Sequence, residues 1–170
     1  VTVTGVDDFI IDGNQTTTVT VSVDSASTDD NYDGVADQTV TITTTSDDVA
    51  GFTLSKTTAT VSEAATTDDF TVVLTAQPDT DVVLNVISAD TGEATVSPAT
   101  LTFTSGNWNS TQTVTITGVN DSLADGSIDT IVTISVDDAS SDDNFDGVTD
   151  QTVTVTTTDN ETAAYTLSKT

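Results

Sequence analysis

The sequence predicts an all-β protein built of tandem antiparallel β-sandwich modules, immunoglobulin-like, with a repeat of about 113 residues, the distance from Val1 to Val114. Three observations predict it. Threonine alternates with valine and isoleucine over short stretches, the period-two pattern of half-buried strands. Seven or so such stretches occur in one module at the spacing of sandwich strands, and no window of helical period competes with them. Third, Val1–Thr57 falls on Val114–Thr170 without a gap, and well over half of the aligned residues are identical. VTVTGVDD faces VTITGVND, and FTLSKT faces YTLSKT. That period is a whole domain rather than a solenoid turn.

The repeat sets the organisation. Residues 1–48 read as the C-terminal half of one β-sandwich repeat, 49–161 as a complete repeat, and 162–170 as the first strand of the next. A half-sandwich cannot cover its own core. Val19, Val21 and Val23 are therefore expected to be completed by chain outside this stretch or by a neighbouring molecule.

In the complete repeat, Phe52–Ser55 reads as a first strand, continued by Ala59–Ser62 after an irregularity. Asp69–Ala76 follows with Phe70, Val72 and Leu74 on one face, and Gln77-Pro78-Asp79 makes a turn. Asp81–Ser88 places Val82, Leu84 and Val86 inward. Ala94–Val96 and Leu101–Thr104 straddle Ser97-Pro98. Thr111–Val119, Thr130–Asp137 and Gln151–Thr158 complete the set. Trp108, the lone tryptophan, reads as closing one end of the core, and Tyr32 and Phe145 as equivalent loop anchors.

Charge narrows the partners. Twenty-eight acids against Lys56 and Lys169 give a net charge of -26, which repels nucleic acid and anionic lipid and favours cations. No run approaches the roughly 20 apolar residues of a membrane-spanning helix, so no membrane insertion is expected. The absence of cysteine excludes disulfides and thiol chemistry. Nearly all the acids are Asp, the only Glu being Glu63, Glu93 and Glu161. Asp favours turns, so loop-clustered Asp suggests cation coordination; salt adaptation or plain solubility would give a similar bias.

Strand parity then locates the acids. With strands alternating in direction, one end, the top, receives Glu63, Asp68 and Asp69, then Asp90 and Glu93, then Asn120, Asp121, Asp125 and Asp129, and finally Asp159, Asn160 and Glu161. The bottom receives Asp79, Asp81 and the long loop Asp137–Asp150. Since Thr162–Ala164 is short, successive modules are expected to meet acid against acid. Like charges within about 4 Å repel by roughly 4 kcal/mol at a partly screened site, and a hard divalent ion with six to eight oxygen ligands relieves this.

The motifs Val61-Ser62-Glu63, Leu101-Thr102-Phe103, Gly118-Val119-Asn120-Asp121, Ala124-Asp125-Gly126 and Thr158-Asp159-Asn160-Glu161 resemble those of Calx-beta domains, over essentially the whole module. The resemblance implies an immunoglobulin-type sandwich binding Ca2+ through Glu63, Asp121, Asp125, Asp159 and Glu161. Asp8, Asp12 and Asp48 hold equivalent positions in the earlier copy. Two departures stand out: Val96-Ser97-Pro98 replaces the family's mid-module Asp-Tyr, leaving one ligand missing unless Asp90 supplies it, and the earlier copy closes with Ser46-Asp47-Asp48. Repeats of this kind are common in long bacterial surface proteins and adhesins.

A second candidate is the last hairpin loop. Asp142, Asn144, Asp146, Gly147 and Asp150 fit positions 1, 3, 5, 6 and 9 of an EF-hand loop, and Asp29, Asn31, Asp33, Gly34 and Asp37 repeat the pattern. Val153 stands where the bidentate Glu belongs, and a turn-rich hairpin would read the same way. Lys56 is expected to pair with an Asp rather than to form an isopeptide cross-link. Three glycosylation sequons, at Asn14, Asn109 and Asn160, are near chance in so threonine-rich a chain.

No enzyme is expected. There is no His or Cys, no Ser with a candidate base and no phosphate loop, and a catalytic site would not normally recur in tandem modules. The sequence therefore points to a structural repeat of an extracellular adhesin, surface protein or filament, stiffened by calcium at module junctions. Neighbouring repeats, and fibres of the same protein, are the expected partners. The alternative is a recognition module that binds glycan or protein.

Overall fold

The computed structural model describes residues 1–169, and the chain forms two compact units, Val1–Asp48 and Val49–Thr170. In the first unit, β1 (Gln15–Val21) and β2 (Gln38–Thr44) pair as an antiparallel hairpin, from Gln15 opposite Thr44 to Val21 opposite Gln38. A 3-10 turn at Asp30–Tyr32 lies in the connecting loop. The C-terminal half of a repeat implies a third strand at the start, in the place of Thr111–Val119, but residues 1–9 form none.

Among its described residues the second unit carries nine strands. They are β3 (Phe52–Leu54), β4 (Thr58–Ser62), β5 (Thr67–Leu74), β6 (Val82–Ser88), β7 (Ala94–Ser97), β8 (Thr100–Phe103), β9 (Gln112–Gly118), β10 (Ile128–Val136) and β11 (Gln151–Thr158). A five-stranded sheet, β4-β11-β10-β6-β8, faces a four-stranded sheet, β3-β5-β9-β7. Between them lie Phe70, Leu84, Phe103, Ile116, Val132 and Ile134, all buried. Each contributes about 1.5–3 kcal/mol by leaving water. Alternate residues point outward, and there threonine dominates. The fold is an immunoglobulin-like β-sandwich.

Two expected strands are each divided between sheets. Phe52–Ser55 does not continue into Ala59–Ser62: β3 pairs antiparallel with β5, whereas β4 pairs parallel with β11. The chain crosses over at Ser55–Thr57, where the Lys56 ammonium forms an ion pair with Asp68. That pair holds the Asp68 carboxyl below its ordinary range. β7 and β8 likewise enter opposite sheets on either side of the cis peptide Ser97–Pro98. The parallel pair β4–β11 is the one departure from an antiparallel arrangement among the described strands.

The 162–170 stretch was expected to open a further strand; residues 159–169 are irregular. The aligned segment β3 is a strand because β5 lies beside it. At the lower end the long loop contains 3-10 turns at Asp138–Ser140 and Asp143–Phe145. Phe145 is buried and anchors this loop, while Tyr32, read as its equivalent, is 59% exposed. Trp108 is half-buried, and its carbonyl accepts a hydrogen bond from Leu74 N at 3.2 Å.

Candidate metal centre

The strand directions bring four connections to one end of the second unit. β4 and β11 run side by side and in register up to Ser62 opposite Thr158. β9 ends at Gly118 opposite the start of β7 at Ala94. The segments after β4, before β7, after β9 and after β11 therefore converge, and each delivers a carboxylate.

Gly118 makes this convergence possible. Its N–H donates to Thr66 O at 3.1 Å, and a Cβ built there would lie 2.2 Å from Ser62 O. Only a glycine lets the β4–β5 turn lie against the end of β9. Ala65 in that turn holds φ 57, a left-handed conformation that costs a non-glycine residue about 1–2 kcal/mol.

Two three-carboxylate groups form among the described residues. Glu63, Asp121 and Glu161 make one, Glu93, Asp121 and Asp125 the other, and within each the nearest oxygens lie within 4.8 Å of one another. Asp121 belongs to both. Glu63 is only 2% exposed, and its Oε2 accepts from Asn160 N at 3.2 Å. A hydrogen bond with Glu63, then burial, then the Glu63 charge push the Glu161 carboxyl up to about 7. Burial first, then the charges of Asp125, Asp90, Asp121 and Glu63, raise the Glu93 carboxyl. Glu93 Oε2 is buried and has no hydrogen-bond partner.

Asp159 plays a different part. Its Oδ1 accepts from Glu161 N at 2.6 Å and its Oδ2 from Gly126 N at 2.8 Å, and these bonds hold its carboxyl below the ordinary range. It ties the 119–127 loop to the chain end that carries Glu161, and it stands outside both carboxylate groups. Asp90, considered in place of a missing ligand, turns its Oδ1 to Gly92 N at 2.9 Å within its own loop. Glu93 is the carboxylate of that loop that joins a three-carboxylate group. Sequence reasoning placed Glu93 at this end without choosing it, although all three glutamates of the chain meet here.

The remaining sequence-predicted residues lie elsewhere. Asp8, Asp12 and Asp48 line one open groove of about 720 Å³ in the first unit, together with Asp7 and Asp47. Burial, then the charges of Asp47, Asp8, Asp7 and Asp12, raise the Asp48 carboxyl. In the hairpin loop, Asp142 is buried. It accepts from Asp79 N (2.7 Å), Thr80 N (3.0 Å) and Asn144 N (2.9 Å). Burial opposes its ionisation, but these N–H donors outweigh it and keep the carboxyl low. Asn144, Asp146 and Asp150 are exposed around it. In the first unit, Asp29 Oδ1 accepts from Asn31 N at 2.9 Å, and Asp33 and Asp37 are exposed. Among the described residues, neither loop forms a three-carboxylate group.

No protein-family model matches the sequence, and no curated protein does. Solved structures similar to it include the Escherichia coli chaperone DraB, at 8% identity and TM-score 0.48, over 66% of this chain and 57% of that one. Domains 4 and 5 of the S-layer protein SbsC align at 25% identity and TM-score 0.47, over 74% of this chain and 54% of that one. The apo-form Calx CBD1 domain aligns at 15% identity and TM-score 0.49, over 67% of this chain and all of its own length. The chain thus spans little more than half the length of the first two. No helix among the described residues is long and apolar enough to cross a membrane.

Proposed function

We propose that the second unit is a structural repeat of an extracellular surface protein, adhesin or filament, and that calcium holds its acidic end together. One observation carries this reading: the buried, unpartnered Glu93 Oε2 belongs to a group whose other members, Asp121 and Asp125, are also acids. A buried carboxylate oxygen without a donor is costly, and the nearby acids worsen it. A cation relieves both at once.

The donor set consists of carboxylates alone, with no nitrogen or sulfur ligand. Hard oxygen donors on several loops suit calcium, with its six to eight ligands, better than magnesium with its strict octahedron. Glu63, Glu93, Asp121, Asp125 and Glu161 would hold the ion, with Asp159 fixing the two segments that present them. When bound, the ion supplies positive charge that cross-links four connections of the sandwich. Glu161 gives up its proton on binding. We assign no catalytic role, and the proposed partners are calcium and further copies of the repeat.

Melting curves in calcium, magnesium and chelator test this reading. A calcium-specific rise is expected, worth roughly 2.7 kcal/mol when the free ion stands at 100 times its dissociation constant, and Glu93→Gln should diminish it. Three superimposable curves would remove the proposal.

A further inference from the structure

The hairpin β1–β2 of the first unit repeats β10–β11 of the second, strand for strand. In the second unit both edges of that hairpin are occupied: β4 lies parallel against β11, and β6 antiparallel against β10. Its inner face is sealed, with Val132, Ile134, Val153 and Val155 each at 0% exposure. Their counterparts in the repeat are Val19, Val21, Val40 and Ile42. Val21 is 58% exposed and Val40 59%, while Val19 and Ile42 are half-buried. β1 and β2 form a sheet of two strands only.

We propose that this hairpin is the receiving half of a split sandwich, and that its ligand is a polypeptide segment with the strand pattern of residues 49–113, the front half of this chain's own repeat. The second unit shows what such a segment does with this hairpin. Charge agrees: β1, β2, β4 and β6 carry no ionisable side chain in a chain of net charge -26. Union along these edges joins neutral surfaces and keeps carboxylates at the loop ends. Energetics agree as well, since an isolated two-stranded hairpin is marginal in water and gains most from a covered apolar face.

The register follows from the second unit. The β4-like strand should lie parallel to β2 with its Ser62 position beside Thr45, as Ser62 lies beside Thr158. The β6-like strand should lie antiparallel to β1 with its Ser88 position beside Val19, as Ser88 lies beside Val132.

The test extends the intact chain by a second copy of residues 49–113 placed directly ahead of Val1. Amide hydrogen exchange at Val19, Val21, Val40 and Ile42 is then compared between the two chains at the same low concentration. In the unextended chain these amides should exchange fast, and in the extended chain at least about a hundredfold more slowly. Unchanged exchange would overturn the proposal, as would equal slowing by a scrambled copy of the added segment. Slowing in the unextended chain that grows with concentration would assign the face to a second copy and overturn it too.

A cross-link reads the register independently. The protein has no cysteine, so Thr45→Cys combined with Ser62→Cys in the added copy introduces the sole pair. These positions should form a disulfide on mild oxidation, because adjacent strands bring Cα atoms within bridging range. If the fused chain does not fold, the segment is supplied as a separate polypeptide with the same cysteine. Failure to cross-link while the second unit remains folded overturns the register and the proposal together.

Discussion

The loop 24–37 and the loop 137–150 are two printings of nearly the same text in different surroundings. Their local structures coincide. Asp29 and Asp142 cap a 3-10 turn at φ -62, ψ 128 and φ -61, ψ 127, and each accepts a hydrogen bond from the Asn two residues on. Their burial does not coincide. Asp142 also takes two N–H groups from residues 79 and 80, and Phe145 sits in the core where Tyr32 lies open. Short-range hydrogen bonding is written into the loop itself, and burial is conferred by strands far away in sequence.

That difference can be broken residue by residue. Phe145→Ala should have the largest effect, lowering the stability of the second unit by about 3–5 kcal/mol, whereas Tyr32→Ala should change the melting curve by less than about 0.5 kcal/mol. Equal effects would mean that the first unit packs its loop as the second does. The next contrast sets Gly118 against Gly5, the same position in the two copies. Gly118→Ala drives a Cβ into Ser62 O at 2.2 Å, while a Cβ at Gly5 meets nothing nearer than Thr44 Cγ2 at 3.5 Å. Thermal unfolding should show a loss of about 1–3 kcal/mol for Gly118→Ala and almost none for Gly5→Ala.

The smallest effect concerns pH. Glu161 rises from its ordinary 4.5 to about 7. Across that window the folded chain holds a proton that the unfolded chain has released, so stability should fall as pH rises. Glu93, also raised, acts in the same direction. Asp68, Asp142 and Asp159 are lowered from 3.8, so their contributions are lost only as pH falls below that value. In chelator, the melting temperature should decline between roughly pH 5 and pH 7.5, and Glu161→Gln should flatten the slope. A rising slope would contradict the raised Glu161 carboxyl.

Much of the fold was legible because alternation marks strands and parity marks ends. Glu63, Asp121, Asp125 and Glu161 could be set at one end by counting strands alone. What alternation does not encode is the hydrogen-bonded neighbour. Phe52–Ser55 and Ala59–Ser62 read as one strand with an irregularity, and nothing in the period separates such a strand from one that changes sheets at Lys56. Glu93 stands beside Asp90 in a loop where the resemblance implies an aspartate ligand, so the motif does not single it out. The concentration of all three glutamates at this end was visible in the sequence. The grip of Asp142 on residues 79 and 80 joins positions more than 60 apart, and no local pattern announces it.

The parallel contact of β4 with β11, from Thr58 beside Thr154 to Ser62 beside Thr158, has a mechanical consequence. These strands lie near the two chain ends of the second unit and point the same way. Tension applied at those ends slides one strand along the other. The rungs between Thr58 and Ser62 would then be loaded together in shear rather than one at a time.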